Sequence, residues 1–124
     1  MSFPTGAWEI NANGYRGRLE IPSVDGAGNL VNSSLTMTSP APEPASKVTG
    51  FWDDDGQKIT FIRVIDQNNP EINQVYTGYM FDNHLDKANP VTHTLTGEFE
   101  AFKGTGGVAN RSLYGWFANH RQAT

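Results

Sequence analysis

Thr5-Gly6-Ala7-Trp8 opens a pattern that recurs along the chain and decides how its fold is predicted. In each copy, a glycine is followed two positions later by a large apolar side chain. The five copies are Thr5-Gly6-Ala7-Trp8, Thr49-Gly50-Phe51-Trp52, Thr77-Gly78-Tyr79-Met80, Thr96-Gly97-Glu98-Phe99 and Tyr114-Gly115-Trp116-Phe117. Residues two apart in a strand point to the same side, so we expect each glycine and its large neighbour to share a face. A glycine beside a bulky ring lets strands curve and leaves space for the ring, which is typical of a small β-barrel.

The rest of the chain predicts strands and no helix. Apolar residues recur at every second position, and 13 glycines and 7 prolines interrupt any window long enough for a stable helix. Three prolines in residues 38–46 predict a loop that forms a flap. The predicted strands are residues 6–11, 15–24, 29–37, 47–53, 57–66, 73–82, 91–103 and 112–120.

Eight sequential strands with short connections predict an antiparallel up-and-down meander. Closing the meander into a barrel removes the two exposed edges that an open sheet would leave unpaired. We therefore predict an all-β, eight-stranded antiparallel barrel, with an open sandwich as the alternative.

Length, composition and charge narrow the classes of function. The 124 residues predict one domain, residues 1–124, and the lack of cysteine excludes disulfides and thiolate metal sites. The net charge of -4, with no basic stripe, predicts neither a nucleic-acid nor a membrane partner. No signal peptide or apolar span is recognisable, so we expect a cytoplasmic protein, or a secreted one only if a leader was removed.

The repeated unit, the eight-strand meander and the length together resemble the avidin and streptavidin family. The likeness begins with the Thr-Gly-x-Trp opening at Thr5–Trp8 and extends over nearly the whole chain. Lipocalins and fatty-acid-binding proteins share the Gly-x-Trp opening. The latter insert two helices where the Asn13-Gly14 turn leaves no space, and lipocalins usually add a C-terminal helix. The resemblance implies a streptavidin-like barrel that holds a small ligand. We also expect a homo-oligomer, either a dimer or a tetramer, because several rings are predicted on the outer wall.

The residues that the resemblance would require for biotin are not matched. The family pattern Trp-x-Asn-x-x-Gly-Ser meets Trp8-Glu9-Ile10-Asn11-Ala12-Asn13-Gly14-Tyr15, where the asparagine is displaced by one position and Tyr15 replaces serine. The aspartate expected two residues after the glycine of the last strand is replaced by Phe117. A binding site that loses most of its hydrogen-bond partners loses affinity, so tight biotin binding is not expected.

Parity within the strands selects candidates for a ligand site inside the barrel. With the last residue of each repeat inward, the interior receives Trp8, Trp52, Met80, Phe99 and Phe117, most of which we expect to be core. The mixed aromatic and amide lining that sugars or heterocycles prefer is predicted to be Asn11, Tyr15, Trp52, Tyr76 and Asn119. The pattern leaves the face of Arg63 undecided. We favour the outward orientation, as a solvated residue; facing inward, it would be a buried charge and an anchor for an anion or carboxylate.

Three hypotheses about function follow. The first is a non-catalytic module that binds a small ligand or carbohydrate, with no cofactor and no metal site. The second is an oligomeric assembly protein with a filled barrel, because parity turns Phe51, Tyr79, Phe81 and Trp116 outward, where another copy would cover them. The third is a small-barrel cyclase or isomerase, which rests on analogy between folds and would need an inward acid beside a cavity.

Overall fold

The computed structural model describes residues 3–83, 87–105 and 108–121, which form ten strands and one 3₁₀ turn at Pro70–Ile72. The strands are β1 Gly6–Ala12, β2 Tyr15–Ile21, β3 Ser23–Val24, β4 Leu30–Val31, β5 Ser33–Ser39, β6 Ser46–Asp53, β7 Lys58–Val64, β8 Gln74–Asp82, β9 Val91–Thr105 and β10 Val108–Arg121. No helix in this part of the chain is long and apolar enough to cross a membrane.

Eight of these strands close into an antiparallel barrel. Their order around the wall is β1-β10-β9-β8-β7-β6-β5-β2, and β2 returns to β1 to complete the ring. The prediction of an eight-stranded antiparallel barrel is confirmed. The predicted turn at Asn13-Gly14 joins β1 to β2, and both residues have positive φ, as a tight hairpin turn requires.

Two predicted strands are each broken once. The strand predicted at residues 15–24 stops at Ile21, because Pro22 has no N–H to donate to a ladder. The strand predicted at residues 29–37 is interrupted at Asn32, whose φ of 53° lies outside the β region. The detached pieces pair with each other as the small β3–β4 hairpin, which lies outside the barrel sheet.

The inner face of the barrel is apolar, as the alternation predicted. Trp8, Trp52, Met80 and Phe99 are all buried, which confirms four of the five inward assignments. The neighbouring strands contribute further apolar side chains with the same period of two, and the most deeply buried are Leu19, Ile21, Leu35, Ile59, Phe61, Tyr76 and Leu95.

The last strand has the opposite phase to the one predicted. Trp116 is buried and Phe117 is 45% exposed, so the predictions that Phe117 faces inward and Trp116 outward are wrong. The Trp116 indole lies against Gly78 and donates from Nε1 to the carbonyls of Thr77 and Glu98, both at 3.1 Å. Gly78 of β8 therefore makes space for a ring from β10, rather than for its own large neighbour Met80.

One end of the barrel is filled by aromatic side chains. The ring of Phe3 lies 5.4 Å from that of Trp8 and 5.0 Å from that of Trp52. Trp8 Nε1 donates to the carbonyl of Pro4 at 3.0 Å, and the backbone N–H of Trp52 donates to the carbonyl of Gly28 at 2.7 Å. The segment before β1 and the loop that carries the β3–β4 hairpin thus cover this end, which we call the closed end.

Candidate functional site

The other end of the barrel, where the β1–β2 and β5–β6 connections lie, opens into a cavity of about 740 Å³. The ladder between β5 and β6 runs only from Ser33 opposite Val48 to Leu35 opposite Ser46. Beyond Leu35 the two strands separate, and the loop at residues 40–45 spans the gap. The volume is within the range of known small-molecule sites, so we call this end the open end.

Arg63 is the central polar residue of the cavity wall. It is only 7% exposed, because the alternation of β7 turns it inward with the buried Ile59 and Phe61. The expectation that Arg63 faces solvent is therefore wrong. Its Nε donates to Ser46 Oγ at 3.3 Å, and its Nη1 donates to Gln74 Oε1 at 3.3 Å. A buried guanidinium needs such partners, because removing it from water without them is costly.

Tyr76 connects this polar group to the aromatic core. Its hydroxyl donates to Gln74 Oε1 at 2.8 Å, and its ring stacks on Phe61 at 4.6 Å and on Phe99 at 4.7 Å between centroids. Burial raises the pKa of Tyr76 to about 12, although the positive charge of Arg63 acts in the opposite direction. The phenol is therefore neutral at physiological pH and acts as a hydrogen-bond donor.

The β5–β6 loop places a carboxylate on Arg63. Glu43 Oε1 lies 3.2 Å from Arg63 Nη2, while 45% of the Glu43 side chain remains exposed. The backbone N–H of Glu43 donates to the carbonyl of Met37 at 2.9 Å, which holds the loop over the opening. The sequence predicted a loop at residues 38–46, and the structure narrows it to residues 40–45.

The structure brings together two of the five predicted ligand-site residues and separates the others. Tyr15 and Tyr76 both line the open-end cavity, with Tyr15 about half exposed at its rim. Trp52 is buried at the closed end, where its Nε1 donates to Asp54 Oδ1 at 3.2 Å. It therefore shares no cavity with the two tyrosines.

Asn11 and Asn119 lie outside the barrel, although we expected both to face inward. Asn11 falls between the buried Ile10 and Ala12, so strand alternation turns it outward, and its Oδ1 accepts from the N–H of Gly14. Asn119 follows the reversed phase of β10, and its Oδ1 accepts from the hydroxyl of Thr94. Both line a separate groove of about 410 Å³ on the outer wall.

Sequence reasoning missed Ser46, Gln74 and Glu43 and misplaced Arg63. Arg63 lies in a run with large apolar residues on both faces, Ile59 to Ile65, so alternation does not assign its side. The presence of Gln74 two positions before Tyr76 would have placed an amide on the face of the predicted tyrosine. Nothing in the sequence indicates that Glu43 reaches Arg63, because that contact depends on the course of a loop.

The described residues give few groups that could hold a metal ion. In the three ranges listed above, no cluster of three or more His, Asp or Glu side chains has the proximity that a metal site needs. Among the described residues, the open-end cavity is lined by one carboxylate, that of Glu43, and by two basic residues, Lys47 and Arg63. The arrangement can therefore bind and orient an acceptor group, with hydrogen-bond donors concentrated at Arg63.

An eight-stranded up-and-down barrel with a cavity at one end defines the class: this chain has the avidin- and streptavidin-like fold, which confirms the resemblance. A solved structure to which it is similar is the rhizavidin–biotin complex, with a TM-score of 0.62 and 15% sequence identity. The alignment covers 98% of this chain and 96% of the rhizavidin chain. No protein-family profile and no curated protein sequence matches the chain.

Proposed function

We propose that this protein is a non-catalytic module that binds a small molecule in the open-end cavity. The observation that carries the proposal is a cavity of about 740 Å³ whose wall combines a buried guanidinium with aromatic rings. Small-molecule sites are usually concave and mostly apolar, with a few polar groups that fix the orientation of the ligand. Arg63, Gln74 and Tyr76 supply those polar groups, and Phe99 and Tyr114 supply apolar surface.

The ligand we propose is not biotin. The rhizavidin structure is a complex with biotin, so a protein with this fold binds a small heterocycle. In this chain, Asn11 of the first hairpin lies on the outer wall and Tyr15 lies at the rim of the cavity. The last strand has Phe117 in place of an aspartate. Sugars and other heterocycles stay within the proposal, because the tyrosines can stack on them and the amide of Gln74 can hydrogen-bond to them.

A ligand panel combined with a blocked cavity tests this proposal. The panel comprises neutral mono- and disaccharides, nucleobases, amino acids, organic acids and biotin, and binding is measured by thermal shift and then by calorimetry. Ala101→Trp fills the cavity from β9, whose inward face carries Ala101 next to Phe99. We expect at least one compound to stabilise the unmodified protein and Ala101→Trp to abolish that stabilisation.

Leu113→Trp is the matched control, because Leu113 is 62% exposed on the outer wall and lies outside the cavity lining. It adds the same indole without filling the cavity, so binding should be unchanged. The proposal fails if no compound binds at saturating concentration, or if Ala101→Trp folds and binds as well as the unmodified protein.

We also propose that the barrel forms a homo-oligomer through its outer wall. Phe51, Tyr79 and Phe81 are all about half exposed. Phe51 is on β6, Tyr79 and Phe81 are on β8, and β7 lies between these two strands in the wall. Large exposed apolar groups on neighbouring strands are typical of contact surfaces. Light scattering should give a mass of two or four chains, and Phe81→Ser should lower it; a monomer at high concentration would contradict this.

A further inference from the structure

We propose that the open-end cavity takes organic carboxylates with a planar apolar body. Arg63 binds the carboxylate, and Glu43 occupies the same guanidinium until the ligand displaces it. This inference rests on the proposed function and specifies the ligand class of that site. Glu43, on the loop that spans the opening, therefore occupies the position of the ligand carboxylate while the site is empty.

The hydrogen bonds of Arg63 leave room for a better partner. A guanidinium has five N–H groups, and among the described residues Arg63 donates to Ser46, Gln74 and Glu43 at 3.2–3.3 Å. Charge-assisted bonds to a carboxylate are usually shorter, at about 2.7–2.9 Å, and often come as a parallel pair. Glu43 provides one oxygen at 3.2 Å, so a free carboxylate that approaches both Nη atoms would bind more tightly than Glu43 does.

Glu43 can exchange for another anion at small cost. Its side chain is 45% exposed, whereas that of Arg63 is 9% exposed, so the two partners of this ion pair are in different surroundings. Released Glu43 regains its full hydration, whereas Arg63 stays in the wall with little of its side chain exposed to water. The buried cation therefore requires a negative partner, and the exposed anion does not require Arg63.

The charge of the cavity favours an anion. Of the charged lining residues, Arg63 is buried in the wall, Glu43 is half exposed, and Lys47 lies on the exposed face of β6. Displacement of Glu43 leaves the buried guanidinium of Arg63 without a negative partner among these lining residues. A monoanionic ligand restores the balance that Glu43 provided.

The aromatic lining indicates the shape of the rest of the ligand. The ring of Phe99 lies 5.4 Å from that of Tyr114, and Tyr15 stands half exposed at the rim. Rings prefer offset-stacked or tilted contacts with other planar groups. An aryl or heteroaryl carboxylate can place its ring against these side chains while its carboxylate reaches Arg63.

The test compares carboxylates with their neutral amides. The probes are benzoate, naphthalene-2-carboxylate and indole-3-acetate, each measured by calorimetry against its primary amide. We expect at least one acid to bind about tenfold or more tightly than its amide, which is the effect of one charge-assisted pair. Arg63→Met should reduce binding of the acid to the level of the amide, and Arg63→Lys should give an intermediate affinity because it keeps the charge without the planar fork.

Glu43→Gln tests the displacement separately and leaves the buried arginine in place. Removal of the competing carboxylate should tighten binding of the acid by about threefold or more and leave the amide unchanged. Glu20→Gln is the matched control, since Glu20 is also 45% exposed and pairs with Arg18 on the outer wall, away from the cavity lining. It should change neither affinity.

The outcomes distinguish this inference from the proposed function. Equal binding of acids and amides, or binding by another compound class that Arg63→Met does not weaken, overturns the inference and leaves a small-ligand module. An acid preference that depends on Arg63 but not on Glu43 supports the anchor and overturns the displacement. If no acid and no member of the wider panel binds, both proposals fall.

Discussion

The two ends of this barrel are built from the same strands but filled in different ways. At the closed end, Phe3, Trp8 and Trp52 are buried against one another, and additional chain segments cover them. At the open end, the interior holds Arg63 and Tyr76, and one loop carries a half-exposed carboxylate across the opening. Aromatic contact area stabilises the closed end, where a groove of about 630 Å³ is lined largely by loop residues, while the open end has buried polar groups in the wall of its cavity.

This difference separates stability from binding along the barrel axis. A cavity with a buried charge lowers the stability that a filled core would give, so it has to be compensated by packing elsewhere in the same domain. The closed end supplies that packing at the largest distance from the cavity. Substitutions at the two ends should therefore differ in size and in kind.

The largest expected difference is between Trp8→Ala and Tyr15→Ala. Trp8 is fully buried at the closed end, so its truncation should lower the free energy of unfolding by about 4 kcal/mol through lost contacts and a new cavity. Tyr15 is half exposed at the open rim, so its truncation should cost less than about 1 kcal/mol. Urea unfolding followed by circular dichroism measures both. Similar losses in the two variants would contradict the assignment of stability to the closed end.

A smaller effect is expected at the wall between the two ends. A Cβ on Gly97 would lie 1.9 Å from the carbonyl oxygen of Thr77, whereas a Cβ on Gly115 would have its nearest neighbour at 4.0 Å. Gly97→Ala should therefore lower the free energy of unfolding by about 3 kcal/mol, and Gly115→Ala by less than about 0.5 kcal/mol. The same denaturation experiment applies, and equal effects would show that β9 and β10 are not positioned as described.

The smallest effect is a pH dependence confined to the open end. The pKa of Tyr76 is about 12 in the folded protein against 10.0 for a free tyrosine, so above pH 10 the unfolded chain loses its proton first and stability falls. Below pH 10 both states keep the proton and this contribution is fully present. By pH 11 the unmodified protein should lose about 1 kcal/mol more than Tyr76→Phe does, relative to pH 8. Parallel pH profiles for the two proteins would contradict the burial of this phenol.

Much of the fold could be predicted because alternation and glycine placement act over whole strands. Trp8, Trp52, Met80 and Phe99, on four of the predicted strands, are buried as expected. The last strand failed because Tyr114-Gly115-Trp116-Phe117 contains two large rings in succession, and either phase buries one of them. The Trp116 ring lies against Gly78 of another strand, a contact that a repeat within one strand does not reveal.

The site could be predicted only in part, because it depends on contacts between distant segments. Tyr76 was found from its place in an alternating strand, and the structure puts it beside the cavity. The inward position of Arg63 was not predicted, because both faces of its strand are apolar and alternation does not decide which face it takes. Its partner Glu43 is 20 residues away on a loop, where no periodicity operates.

The three tryptophans are shared unequally between the ends, and this has an optical consequence. Trp8 and Trp52 each contact Phe3 at the closed end, whereas the indole of Trp116 lies 5.6 Å from the ring of Tyr76, a residue of the cavity wall. We therefore expect fluorescence from Trp116 to be more sensitive to a ligand beside Tyr76 than fluorescence from the other two indoles, while emission from all three should change on unfolding. Trp116 can thus serve as an intrinsic probe of ligand binding, and Trp8 and Trp52 as intrinsic probes of unfolding, without any added label.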